Sequence, residues 1–291
     1  MGVKYPVGAA IFDLDGTVMD SMVCQYEVHK AVAMQIGGMK EFPPNDDAFW
    51  IAYNKAYKGG LSSLYGRYGT ITEENFNDLY PAILQMYTAF LKTFPVSTVK
   101  VGDDDISDVI RTVWERGQIT EKRDNRLRIA VNTTKEKQNA MTLLQRENLW
   151  QYFDTAVTMD DVVRYVADGP AKRLGLEELP TDINALRKLL SKDTMKSCEK
   201  PSSLSTMRTL GKLGAPLAIP YDSIVVFEDT PEGVLSCKNV IMPDQNVDLY
   251  VVGVLWGYER DPEELKKAGA DLLIKTPSEI IDVLDKFGGF S

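Results

Sequence analysis

The chain is 291 residues long, 44% hydrophobic and 26% charged, which suits one large or two smaller buried cores and excludes disorder and fibres. A formal net charge of -9 repels a nucleic-acid backbone, and no basic run with interleaved aromatics counters it, so no nucleic-acid partner is expected. No stretch approaches the roughly 18 to 20 uninterrupted apolar residues of a membrane helix, and Met1 to Pro6 lacks a signal-peptide layout and puts proline where myristoylation needs Ser or Thr. The expectation is a soluble, cytoplasmic protein without membrane contact. Cys24, Cys198 and Cys237 have neither metal-ligand nor redox spacing and read as buried thiols in a reducing compartment.

In chain order, Val7 to Phe12 is a short apolar run ending in an acidic turn, the pattern of a buried central strand with functional residues at its tip. From about Ser21 to Phe94 the pattern is helical, with stretches at Gln25–Ile36, Asp46–Lys55, Glu73–Asn77 and Ala82–Lys92 and no convincing strand. A helical second domain over 20–100 is therefore predicted, inserted after the first strand. His29, the only histidine, falls in one of its helices, which disfavours a histidine metal cluster or a histidine acid–base. Lys55, Lys58, Gly59, Gly60 and Arg67 make a basic, glycine-containing segment between two of the helices.

After Val101 strand and helix alternate: a helix near Ser107–Arg116, a strand Leu127–Val131, a helix Glu136–Glu147, then strands Ile224–Phe227, Leu249–Val254 and Leu272–Ile274. Strands separated by helices imply a parallel sheet covered on both faces, whose ligands bind beyond the carboxyl ends of the strands. The predicted fold is thus α/β, a three-layer α/β/α Rossmann-like core over 1–19 and 101–291 with the helical insertion. Asp160–Glu199 and Asn239–Asn246 interrupt the alternation and read as surface insertions. Asp103-Asp104-Asp105 precedes a helix, where acidic residues favour the positive end of the helix dipole, and is not taken as a cation site.

The strongest chemical signal is Asp13-Leu14-Asp15-Gly16-Thr17 directly after the first strand. Two carboxylates two residues apart can share a cation, and Gly16 lets the backbone turn closely around a ligand. Glu228-Asp229-Thr230-Pro231-Glu232-Gly233 closes a second apolar strand with hard oxygen ligands of the kind Mg²⁺ takes. Because the chain is acidic, a phosphate-handling site needs a metal and a placed cation to reverse the local sign.

These segments resemble the haloacid dehalogenase superfamily, in particular its members like phosphoglycolate phosphatase and beta-phosphoglucomutase that carry an α-helical cap. The first motif of that family is Asp-x-Asp-Gly-Thr/Val. The resemblance implies that Asp13 attacks phosphorus to form an aspartyl-phosphate and that Asp15 protonates the leaving group and later activates water. It implies a Ser or Thr at the end of the next core strand; here a strict register gives Asn132 with Thr133 beside it, a departure that leaves both candidates for the phosphate-binding slot, since an Asn amide can also donate. Lys200-Pro201-Ser202-Ser203 resembles the lysine element that balances charge, and Ile224 to Gly233 resembles the acidic metal motif, with Asp229 a direct ligand and Glu228 direct or through water.

The implied metal set is Asp13, Asp15, Asp229 and Glu228, with Mg²⁺ as cofactor, Gly16 lining the phosphate site and Lys58 contacting an anionic substrate. Val254 to Gly257 and Ala268 to Asp271 are also similar to the phosphatase-type members, whereas 160–199 departs from them. Asp15 favours phosphate-ester chemistry over dehalogenation. The implied function is a Mg²⁺-dependent phosphatase of a small phosphorylated metabolite, a monomer or homodimer. A sugar phosphomutase and a non-catalytic phosphate-binding regulator are the alternatives.

Overall fold

The computed structural model describes residues 7–57, 61–94, 96–117, 126–173, 180, 182–188, 190–215, 217–242, 245–247, 249–259 and 261–288. The chain divides into two compact units, Met1–Met19 with Thr98–Ser291, and Asp20–Ser97.

The larger unit is built on six parallel strands: β1 (Ala9–Phe12), β2 (Arg128–Asn132), β3 (Thr155–Val157), β4 (Ile224–Glu228), β5 (Tyr250–Val254) and β6 (Leu272–Ile274), in the spatial order β6-β5-β4-β1-β2-β3. β1 is fully buried, as its uninterrupted Ala-Ala-Ile-Phe run requires of a strand covered on both faces. Strand order turns back at β1: the chain runs outward through β2 and β3, then returns to start β4 on β1's other side. Such a reversal opens a crevice at the carboxyl ends of the strands. Phe12 pairs with Val131 on one side and Phe227 on the other, so Asp13, Asn132 and Glu228, one residue further along each strand, stand level at that edge. Phe12 stacks on Phe227 with ring centroids 4.9 Å apart.

The smaller unit contains α1 (Met22–Gln35), α2 (Asp47–Tyr57), α3 (Leu61–Tyr65) and α4 (Phe76–Thr93). The predicted helix at Glu73–Asn77 begins only at Phe76: residues 73–75 form a turn in which Thr72 and Asn75 exchange side-chain-to-backbone hydrogen bonds, and the helix then runs through Pro81 to Thr93. Lys58, Gly59 and Gly60 lie outside the described residues. His29 is buried among the rings of Tyr53, Tyr65 and Tyr68, and both its nitrogens lack a partner among the described residues. Burial pushes it down to about 3, so it is neutral at ordinary pH.

In the larger unit the helices are α5 (Ile106–Gly117), α6 (Lys137–Arg146), α7 (Met159–Arg173), α8 (Ile183–Lys188), α9 (Lys192–Lys196), α10 (Leu204–Leu213), α11 (Pro231–Lys238), α12 (Pro262–Ala268) and α13 (Glu279–Lys286). Within the predicted surface insertion 160–199, the described residues correct that reading. Val162, Val163 and Ala167 recur on one face of α7 and are sealed by Leu186, Leu190 and Cys198, forming a separate buried cluster with Val157 and Met159. At 239–246 the chain does make a small excursion, in which Ile241–Met242 pairs antiparallel with Gln245–Asn246. All three cysteines are buried and free. Among the described residues no helix is long and apolar enough to cross a membrane.

The acidic triplet before α5 has a local job. Asp105 Oδ1 accepts hydrogen bonds from the backbone N–H and hydroxyl of Ser107 at 2.9 and 2.7 Å and from the Thr98 hydroxyl at 3.0 Å, and Lys100 pairs with its other oxygen at 2.9 Å. Burial opposes the Asp105 charge, but these donors outweigh it and hold the carboxyl down to about 2. A depressed carboxyl contributes stability above its unfolded value of 3.8 that is lost as the pH falls through the folded one. Asp105→Ala is therefore expected to cost about 1 kcal/mol at pH 7, with the gap to wild type closing between about pH 4 and pH 2 in urea melts; a pH-independent gap would remove the charge from the explanation.

Candidate active site

Asp13 extends β1 by one residue, its backbone N–H bonded to Phe227 O at 3.0 Å, and its side chain turns into a closed acidic group. Asp13, Glu228 and Asp229 each offer a carboxylate oxygen within 4.8 Å of the others. All three are buried, with Glu228 0% and Asp229 1% exposed. Lys200, delivered just before α10, bridges them: its Nζ donates to Asp13 Oδ1 at 2.5 Å and to Glu228 Oε1 at 2.7 Å. Asp229 Oδ2 accepts from the Tyr258 backbone N–H at 2.8 Å in the turn after β5.

If all three were ionised, the carboxylates facing one ammonium would leave two negative charges in a buried site. Burial pushes the Asp229 carboxyl well above the ordinary range, and the nearby Asp13 charge adds to this. Burial does the same to Glu228, opposed by Lys200. The Asp13 carboxyl is raised by burial against the pull of Lys200. Lys200 itself would lose its proton to burial, but Asp13 and Glu228 more than reverse this and hold it well above the usual lysine value.

Two carboxylate oxygens, Asp229 Oδ1 and Glu228 Oε2, are buried and have no hydrogen-bond partner among the described residues. A buried acceptor left bare costs roughly 1–3 kcal/mol, more when charged. Hard oxygens, orphaned acceptors and two excess negative charges fit a divalent cation.

Glycines let the backbone approach this group. Gly16 has φ +84°, and a Cβ there would lie 2.1 Å from Asp229 Oδ2; at Gly257 it would lie 2.3 Å from the same oxygen, and at Gly233 1.9 Å from Glu228 Oε2. Gly16 thus packs against the acidic cluster as well as shaping the turn after Asp15.

Asp15 is held apart from the three. Its Oδ2 pairs with Lys135 Nζ at 2.9 Å, and its side chain is 20% exposed against 8% for Asp13. The carboxylate cluster therefore assembles Asp13, Glu228 and Asp229 of the four predicted metal residues. Asn132 is buried at the end of β2, its amide donating to Thr206 Oγ1 at 3.3 Å while its Oδ1 has no partner among the described residues. Thr133 is buried beside it; its Oγ1 accepts from Lys135 N at 3.1 Å, which leaves the hydroxyl proton free to donate elsewhere.

Lys135 and the Gly257-Tyr258 turn are missing from the sequence-based site. Lys135 is the first cation beyond the tip of β2, and the turn follows β5 at the same carboxyl edge as the motif residues. The rule that ligands sit beyond strand ends in a parallel sheet could have brought both in.

Residues 10–168, more than half the chain, match the family model for haloacid dehalogenase-like hydrolases. No curated protein matches. Among solved structures the chain is similar to a predicted phosphatase from Clostridium acetobutylicum (18% identity, TM-score 0.61, covering 97% of this chain and 98% of that one). It is also similar to CbbY from Rhodobacter sphaeroides in complex with phosphate (18%, TM-score 0.61, 96% and 99%). A third similar structure is a Thermotoga maritima protein described provisionally as a beta-phosphoglucomutase (21%, TM-score 0.55, 96% and 98%). At these identities the structural likeness speaks for the fold, and the family match speaks for descent. With its parallel sheet, its acidic strand tips and that match, the chain belongs to the haloacid dehalogenase-like hydrolase family.

Proposed function

We propose that the protein is a Mg²⁺-dependent phosphatase of a small phosphorylated metabolite, working through an aspartyl-phosphate on Asp13. The observation that carries the reading is Lys200 bridging Asp13 and Glu228 beside Asp229, at the strand-order reversal where such sheets bind ligands. Lys200 holds Asp13 through Oδ1, which aims the other oxygen for attack on phosphorus. Asp15 is the more exposed carboxyl and so the better placed to meet both a leaving group and water; it donates a proton to the departing oxygen and then accepts one from the water that opens the acyl phosphate. Asn132 and Thr133 stand at the adjacent strand tip as donors for phosphoryl oxygens.

Asp13, Asp229 and Glu228 would hold the Mg²⁺, with Asp15 contributing at the same turn. When bound, the ion offsets the excess negative charge and polarises a phosphoryl oxygen. Residues 20–100 take the role of a cap that selects the substrate, with Lys58 as the contact for its anionic groups. The similar CbbY structure in complex with phosphate agrees with a phosphate ligand. A phosphomutase would share the attack on Asp13 and differ in the acceptor of the phosphoryl group; the similarity to the Thermotoga maritima chain favours keeping it as the second reading.

Phosphate release from a panel of phosphorylated metabolites is expected to need Mg²⁺ and to fall by at least about 1,000-fold in Asp13→Asn, an enzyme without its nucleophile. Phosphoryl exchange between sugar phosphates without net release would select the mutase, and an unaffected Asp13→Asn would sink both.

The charge balance gives a second test. Carboxyls raised by folding contribute stability that is full below the unfolded value, 3.8 for Asp229, and is lost as the pH rises toward the folded one. Metal-free Asp229→Asn should match wild type near pH 4 and melt higher than wild type at pH 8. Mg²⁺ at a hundred times its Kd should stabilise wild type by about 2.7 kcal/mol and leave the variant unmoved. Equal Mg²⁺ responses in the two proteins would remove Asp229 from the metal site.

A further inference from the structure

The loop after β2 is gripped by the last residue of β3 and the chain segment that follows it. Thr133 N donates to Val157 O at 2.9 Å, Met159 N to Lys135 O at 3.1 Å, and Lys137 N to Asp160 Oδ2 at 2.8 Å. A fourth link is a side-chain ion pair: Arg187 of α8 lies on Glu136, with both side chains nearly buried, 12% and 9% exposed. The same segment holds its own apolar cluster, which includes Leu186 next to Arg187 and Cys198 two residues before Lys200. One small core therefore backs both the loop carrying Lys135 and the lysine that bridges Asp13 and Glu228.

We propose that Arg187 is a positioning residue that keeps Lys135 on Asp15 by occupying Glu136. This inference rests on the phosphotransfer reading above for its kinetic consequence. Two backbone–backbone links and the Lys137 N–H bond to the Asp160 carboxylate set the path of residues 133–137, but none of the three engages the Glu136 side chain. Glu136 is the direct neighbour of Lys135, so a carboxylate bared there competes with Asp15 for the Lys135 ammonium. A buried charge stripped of its partner also seeks another one, because leaving it alone is expensive. Arg187 removes the competitor, and Asp15 keeps the placement that proton transfer requires. Small displacements of such a group are costly: a misplacement of about 1 Å can slow a reaction about 100-fold.

The test uses the full chain with Mg²⁺ and the best ester of the panel. Arg187→Met should lower kcat at least about tenfold while KM stays within about twofold. Arg187→Lys, which keeps the charge without the fork, should fall between Met and wild type. The double variant Glu136→Gln/Arg187→Met should recover to within about threefold of wild type, because the competing charge is gone.

A wild-type kcat in Arg187→Met, or a double variant as slow as the single one at equal melting temperature, would overturn the proposal and leave a purely structural pair. Should Arg187→Met not fold, Arg187→Gln takes its place with the same expectations. If wild type releases no phosphate, the phosphatase reading fails on its own, and amide hydrogen exchange then decides this proposal. Faster exchange confined to residues 133–137 in Arg187→Met, absent from the double variant, supports it, and identical exchange in all three proteins rejects it.

Discussion

Everything at the carboxyl edge of this sheet depends on one ammonium group shared by carboxylates that have left water. Lys200 Nζ touches both Asp13 and Glu228, and without it three buried acids would face one another with no ammonium hydrogen-bonded to them among the described residues. The sheet makes this possible by register. Because Phe12 is paired on both sides, the next residues of β1 and β4 arrive level, and a single lysine can span them. The cluster stays short of neutrality, and that shortfall is the chemical argument for a cation with hard-ligand preference.

The rest of the site is arranged around protecting that balance. Gly16, Gly233 and Gly257 remove side chains where any Cβ would strike Asp229 or Glu228. Tyr258 supplies a backbone donor to Asp229, and Trp256 in the same turn donates from Nε1 to Thr17 O at 3.1 Å, tying the loop after β5 to the turn after Asp15. Asp15, by contrast, is kept out of the cluster by Lys135 and left partly open. Two aspartates two residues apart thus meet different surroundings, one buried on Lys200 and the other partly open on Lys135.

The strands and acids nearest β1 were legible because each announces itself locally: an apolar run, then carboxylates and glycine. The sequence reading also ended β2 and β4 within a residue of where they end, for the same reason. Lys135 was illegible because its partner Asp15 lies in the turn after β1, far back in the chain, and nothing in the string Thr-Thr-Lys-Glu speaks of that contact. β3 has only three residues, too few for a periodic signal. The segment after it read as a charged surface because Asp160, Asp161 and Arg164 dominate its composition, although Val162, Val163 and Ala167 share a buried face. Helix α4 read as two stretches, Glu73–Asn77 and Ala82–Lys92, on either side of Pro81, whereas the folded helix runs through that proline from Phe76 to Thr93.

The central place of β1 also shapes how the chain comes to be folded. β1 is made first, yet one of its two partners is β2 and the other is β4, synthesised only after the whole of the intervening helical unit and the 159–199 segment. Until Ile224 to Glu228 emerges, Ala9 to Phe12 can satisfy only one edge, and its other edge offers unpaired backbone and apolar side chains to any neighbouring chain. The fold thus concentrates its most distant strand pairing on the strand that leads into Asp13. A nascent chain halted before β4 holds Asp13 on an open edge with neither Glu228 nor Asp229 beside it, so the charge cluster can form only once β4 has been made.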